Sequence, residues 1–146
     1  ISNQTLNIYL QAKYQNNHEI KNDKLLYQYV MAIKNESFNN SAPLSKIIFD
    51  SKIHDLSSAL GTHTFVSRIQ GGKLKRKNEI RISNIFKTLP APFFTMIVSH
   101  ALAHLKETEH NKSFYKLCEF IEPSYHQLEL DFRIYLTYLD YFGKLY

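Results

Sequence analysis

A chain of 146 residues and 17.2 kDa, 44% apolar and 21% charged, has the size and composition of one globular domain, which excludes a two-domain enzyme and a disordered tail. One cysteine, Cys118, excludes an intrachain disulfide and suits a reducing compartment, and no apolar run approaches the roughly 18 residues of a membrane span, so a cytoplasmic protein is expected. A net charge of +5 and a sequence pI of about 9.2 permit phosphate or nucleic-acid binding without requiring it.

The opening Ile1-Ser2-Asn3-Gln4 does not read as a signal peptide, and a start on Ile1 suggests that native residues precede it. Leu6, Tyr9 and Leu10, then Leu25, Leu26, Tyr29, Val30 and Ile33, recur at helical spacing, which predicts two helices separated near Asn16-Asn17. Ser41-Ala42-Pro43 breaks the pattern. From Ile47 to Phe86 the period shifts towards two, with β-branched and aromatic runs at Ile47–Phe49, Thr62–Ile69 and Glu79–Ile85, which predicts a small antiparallel sheet. Gly71-Gly72 supplies the turn between the second and third strands and puts the run Lys73, Lys75, Arg76, Lys77 at a hairpin tip, flanked by Arg68 and Arg81. That run reads either as a solvated basic turn or as a phosphate or nucleic-acid contact.

After Pro90 and Pro92 the stretch Phe93 to His104 contains no helix breaker and is apolar nearly all round, which predicts a buried central helix. A further helix runs from Ser113 to Ile121, and Ser124 with Gln127 forms a capping-box pattern opening a last one. Helices, a small sheet, then helices make an α+β domain spanning 1–146.

Seven histidines stand in the chain, and three of them, His100, His104 and His110, fall within eleven residues. His100 and His104 lie one turn apart on one helix face, a spacing that presents two imidazoles to one ion. His110 could join them only if the helix stops first, because a continuous helix would carry it about 15 Å further along the axis and about 80° round it. The polar stretch Lys106-Glu107-Thr108-Glu109, with Asn111 as a cap for the next helix, allows that stop. Three neutral imidazoles with an open fourth position form a ligand set found at catalytic zinc. In the H-E-x-x-H pattern of zinc hydrolases a Glu follows the first histidine as general base. Here that place is Ala101, whose methyl group cannot accept a proton, and neither Glu107 nor Glu109 occupies it.

The run Met96 to Phe114, carrying His100-Ala101-Leu102-Ala103-His104, then His110 and Phe114, resembles the YgjP-like and WLM families of zincin-like metal-dependent hydrolases, whose pattern is H-E-L-x-H, five residues, then H-x-x-x-F. The likeness continues in Lys24–Tyr29, the stretch Lys52–Gly61, Ser67–Lys75 and Pro123–Glu129, and covers most of the chain from about Asp23 onward. It implies a zincin-like domain with a central metal-binding helix, zinc or another divalent ion on His100, His104 and His110, and a metallopeptidase-like or nucleotide-hydrolysing activity, one member being associated with conversion of UTP to UMP and diphosphate. Ala101 departs from the family's Glu, and is either a deliberate replacement or a natural loss; the otherwise intact motif favours the former.

Three functions follow as expectations. The first is hydrolysis of a nucleoside triphosphate, with Arg68, Lys73 and Lys75 holding its charge and with activity withheld by Ala101. The second is peptide hydrolysis at the same site. The third is a metal-binding pseudoenzyme that binds phosphate or nucleic acid, although the basic run has no interleaved aromatic on which bases would stack. Of the remaining candidates, His18 reads as a surface residue. His54, His63 and His126 read as structural or solvent-facing, Tyr125 and Tyr135 as core or rim aromatics within possible reach of the ion, and Cys118 as packed.

Overall fold

The computed structural model describes residues 3–14, 17–38, 43–52, 62–70 and 73–143. Its elements in chain order are helices α1 (Asn3–Lys13) and α2 (Asp23–Ser37), strands β1 (Lys46–Asp50), β2 (Thr62–Gln70) and β3 (Lys73–Ser83), and helices α3 (Ala91–Ala103), α4 (Lys112–Ile121) and α5 (Tyr125–Phe142). This is the expected α+β order.

Local chemistry sets most boundaries. Asn22, in extended conformation, accepts the Leu25 amide and starts α2, which buries Leu26, Val30 and Lys34 at one-turn intervals. Ser83 ends β3 and caps a single 3-10 turn at Asn84–Lys87. Pro92 stands in the first turn of α3, where its missing amide costs nothing. From Phe93 to Ala103 only Thr95 of α3 is not buried, as its all-round apolar sequence requires. The capping box expected at Ser124 does not form: Ser124 has φ −92° and ψ 16°, not the extended backbone a cap needs, and its side chain makes no cap bond. Gln127 turns along α5 instead and donates to Asp131 Oδ1 at 3.1 Å.

The sheet departs from the expected antiparallel arrangement. Its order is β1-β3-β2, with β2 and β3 antiparallel but β1 parallel to β3, Ile47 opposite Ile80 and Phe49 opposite Ile82. The β2–β3 pairing, local in sequence, carries the chain back alongside β1 in the same direction, so β3 becomes the central strand of a mixed sheet. Ile47, Phe49, Ile80 and Ile82 are all buried and share one face by strand alternation, and Phe49 meets Phe94 of α3 with ring centroids 6.3 Å apart. The basic run also reaches further than expected. Lys73 opens β3 beside the connection, opposite Gln70, and Lys75 lies two residues along the strand, so the run leads from the tip into the ladder and is not confined to a turn. The glycines of the turn, and His54, lie outside the described residues.

Helix α3 is the hub, packed by α4 and α5, while α1 lies on α5 and α2 on β1. Phe93 meets Tyr14 at 4.4 Å and Phe132 at 5.7 Å, and Phe94 meets His18 at 4.3 Å and Tyr29 at 5.1 Å, so α3 is wedged between aromatic rings from α2, α5 and the segment after α1. His18 is buried, against the surface position expected. Its Nε2 donates to the Phe86 carbonyl at 2.7 Å and its Nδ1 accepts the Ile20 amide at 3.0 Å, and burial first of all holds it below its usual pKa. No helix among the described residues is long and apolar enough to cross a membrane.

Candidate metal centre

Helix α3 ends where the sequence requires it to end. His104 is its C-cap, and the chain turns through Leu105 and Lys106 until Asn111 accepts the Phe114 amide at 2.9 Å and opens α4. This reversal brings His110 back over the last turn of α3. His104 Nε2 lies 3.2 Å from His100 Nε2 and 3.1 Å from His110 Nε2. The ring centroids are 4.8, 5.0 and 4.9 Å apart for the pairs 100–104, 100–110 and 104–110. Phe114, fully buried one turn into α4, is the common floor, with its ring 5.0, 4.6 and 4.8 Å from the three imidazoles in chain order.

The tautomers follow from the partners. The Glu107 carbonyl, 2.9 Å from His104 Nδ1, can only accept, so that nitrogen carries the proton and Nε2 of the neutral ring presents a lone pair to both neighbours. His100 Nδ1 meets the hydroxyl of fully buried Tyr125 at 2.8 Å. Burial, followed by neighbouring His104, His110 and Arg133, pushes His100 down to about 3, and burial also lowers His104. Both rings are therefore neutral near pH 7, the form that ligates metals.

The three side chains can hold a metal ion, since each offers a nitrogen within 4.8 Å of the others. An ion about 2.0–2.1 Å from each nitrogen in tetrahedral geometry would space those nitrogens about 3.3 Å apart. The observed 3.1 and 3.2 Å are close to that spacing. Three imidazoles at this spacing, with the His104 lone pair turned towards the other two nitrogens, make a donor set that fits a divalent cation.

Ala101, next to His100, is 1% exposed and sits in the hydrophobic core. Glu107 is tied by its side chain to Asn111 at 3.2 Å as well as by its carbonyl to His104, and so serves the turn. Arg68 stands opposite Lys75 in the β2–β3 ladder, and Gln70 opposite Lys73, so the three basic positions share one face by strand alternation; the placement of their side chains lies outside the description. His63 is opposite Ile80 in the same ladder. His126 is exposed and pairs with Glu119 at 2.5 Å, and Tyr135 is buried. Cys118 is buried with its thiol pushed up to about 12 by burial, as expected of a packed cysteine. Sequence reading gave too little to Tyr125. It touches His100 rather than an open coordination position, and the only local signal was its place in the stretch shared with the family.

The YgjP-like metallopeptidase domain family matches residues 65–134, a span that contains β3, the histidine turn and most of α5. UTP pyrophosphatase of Escherichia coli (strain K12) is 52% identical over 140 residues, covering 96% of this chain and 84% of the relative. No solved structure matches. With likeness at this level across nearly the whole sequence, and the three histidines of the family pattern gathered at one point, the chain belongs to the YgjP-like family.

Proposed function

We propose that this chain is the single-domain scaffold of a cytoplasmic, zinc-dependent nucleotide hydrolase, which binds its ion through Nε2 of His100, His104 and His110 and which, with alanine at position 101, cleaves nucleoside triphosphate slowly or not at all. The observation that carries the reading is the convergence of three imidazole nitrogens, one of them fixed as an acceptor by the Glu107 carbonyl. The substrate class comes from the UTP pyrophosphatase, of which this chain is a 52% identical relative. Zinc is favoured over harder ions because all three donors are nitrogens.

A divalent ion held there would supply a water acidified towards neutrality and would polarise a phosphoryl oxygen. The reaction adds water across the anhydride between the α and β phosphorus atoms of UTP, giving UMP and diphosphate, and the attacking water must give up a proton. Position 101 lies beside the first ligand, where a carboxylate would take that proton and an alanine cannot. Arg68, Lys73 and Lys75, basic positions on one ladder face, are assigned to the triphosphate charge.

The test is restoration. Ala101→Glu is expected to raise zinc-dependent UTP hydrolysis by about a hundredfold or more, the range of a positioned general base. No gain with any nucleotide would exclude the reading.

Peptide hydrolysis is the second reading. What favours it is the sheet order, which leaves β1 and β2 at the two edges of the described sheet, the kind of backbone an extended peptide pairs with. Chelator-sensitive cleavage of casein by the Ala101→Glu chain, without UTP turnover, would select it.

A further inference from the structure

The outer part of the β2–β3 hairpin extends past the pairing with β1. β1 pairs with β3 only over Glu79–Ser83, while β2 follows β3 out to Gln70 opposite Lys73. Residues 65–70 and 73–78 therefore form a two-stranded antiparallel ribbon. Six of its positions share one face by register: Val66 opposite Lys77, Arg68 opposite Lys75, and Gln70 opposite Lys73. Four of the six are basic and none is acidic. Ile80 and Ile82, the core positions of β3, belong to the other face, whose only basic position on the ribbon is Arg76.

The placement of these charges calls for a polyanion. Like charges directly opposite one another destabilise a ladder, and Arg68 and Lys75 are such a pair, with Lys73 and Lys77 two residues to either side along β3. The next carboxylate on the same face, Glu79, lies 3.3 Å from Arg81 Nη2, and Asp50 on β1 lies 3.2 Å from Arg81 Nη1, so both serve Arg81. Lys73 to Lys77 spans about 14 Å at about 3.4 Å per residue, a length over which one strand of a DNA duplex presents about four phosphates. A two-stranded ribbon also has the width that the major groove of B-form DNA admits. No aromatic stands on the basic face of the ribbon, so the bases of a single strand have nothing there on which to stack.

We propose that the β2–β3 ribbon is a docking surface for double-helical DNA, seated along the major groove with Arg68, Lys73, Lys75 and Lys77 supplying its positive charge. The inference goes beyond the hydrolase reading and does not need the ion. Arg68, Lys73 and Lys75 are assigned above to a triphosphate, which is the same phosphate chemistry on a shorter scale. Lys77 has no part in that assignment, and so carries the test.

The experiment is fluorescence anisotropy of a short labelled DNA duplex with the full chain, in the presence of a chelator, over a series of salt concentrations. The parent chain is expected to bind, with the logarithm of affinity falling against the logarithm of salt at a slope of about −4, since each of four neutralised phosphates contributes about −0.9. Lys77→Gln should weaken binding several-fold at low salt and make the slope shallower by about 0.9, and Lys77→Arg should restore both. Arg76→Gln, adjacent in sequence but on the other face, should leave affinity and slope at the parent values. An RNA duplex of the same sequence, whose A-form major groove is too deep and narrow for the ribbon, should bind more weakly. Failure of the parent chain to bind DNA in low salt would overturn the proposal. So would an effect of Arg76→Gln equal to that of Lys77→Gln, since binding would then follow net charge and not the face. Equal or tighter binding of the RNA duplex, or of single-stranded oligothymidine, would overturn it too, by excluding the major groove.

Discussion

Asp131 on α5 and the histidines at the end of α3 form two polar clusters built on opposite principles. At Asp131, fully buried, one carboxylate receives four donors: Tyr9 at 2.6 Å and Gln127 at 3.1 Å on Oδ1, and Lys13 at 2.8 Å and Tyr14 on Oδ2. Acceptor sites and donors match in number, and a lysine balances the charge. At His100, 5% exposed, three rings of one kind turn nitrogens towards one another, and His104 offers its lone pair to the other two. The first cluster is complete within the chain and pins α1 to α5. The second is incomplete in a way that a cation would complete. Burial alone therefore does not distinguish a structural polar group from a functional one; the balance of donors and acceptors does.

The largest expected effect falls on the complete cluster. Asp131→Ala removes the shared acceptor of two tyrosine hydroxyls, that of Tyr14 buried, and of the half-exposed Lys13 ammonium, and should cost about 3 kcal/mol of folding free energy in denaturant titration, for the loss of several hydrogen bonds to a buried charged group. It should leave the zinc affinity of the folded protein unchanged. His104→Ala should do the reverse. Zinc at about a hundred times its dissociation constant should add about 2.7 kcal/mol of stability to the parent chain. That increment should vanish in His104→Ala, read as the shift in thermal midpoint on adding zinc, while the metal-free stability moves little. If zinc protects both variants equally, the distinction between the clusters is wrong.

pH separates the clusters next. His100 has a folded pKa depressed to about 3, chiefly by burial, and His104 and His18 are lowered in the same way. A depressed histidine is neutral in the fold, so its contribution is intact above its unfolded value of about 6.5 and is lost as pH falls from there, because the unfolded chain takes up the proton first. Burial alone would raise Asp131, but the hydrogen bonds from Lys13, Tyr14, Tyr9 and Gln127 outweigh it and hold the carboxyl below the ordinary range. Its contribution is intact above about pH 4 and is lost only as pH falls further. Chelator-treated protein should therefore lose denaturant resistance in two stages on acidification. His100→Gln should reduce the first stage, His18 and His104 supplying the remainder, and Asp131→Asn should remove most of the second. A reversed assignment would show that the two environments have been misread.

What could be read in advance was what depends on neighbours in the chain. The helices, the Asn111 cap, the halt of α3 at His104 and the gathering of His100, His104 and His110 all follow from spacings of a few residues. What could not be read depends on distant partners. The parallel pairing of β1 with β3 joins residues 33 apart, such as Ile47 and Ile80, with an antiparallel strand intervening. His18 meets the Phe86 carbonyl, 68 residues away, and Asp131 is satisfied chiefly by α1 and Tyr14 just after it, 117–122 residues away. Tyr125 meets His100 across 25 residues, which is why its link to the site was not visible from either segment alone. The failed cap at Ser124 is a local miss: the Ser and Gln pattern was present, but the backbone after Pro123 did not take the extended form a cap requires.

The smallest effect lies where cap and site meet. Asn111 Oδ1 accepts the Phe114 amide at 2.9 Å, and its Nδ2 donates to Glu107 Oε2 at 3.2 Å, the residue whose carbonyl fixes His104. Asn111→Ala removes both bonds and should cost about 1 kcal/mol, as for an ordinary N-cap, together with a loss of zinc affinity of about tenfold at most. Asn111→Asp keeps the acceptor for Phe114 but sets a second carboxylate against Glu107. Its folding stability should stay nearer the parent while its zinc affinity falls with the alanine variant. If affinity instead follows stability across the pair, Asn111 acts on the site only by starting α4, and the Glu107 bond adds nothing to the orientation of His104.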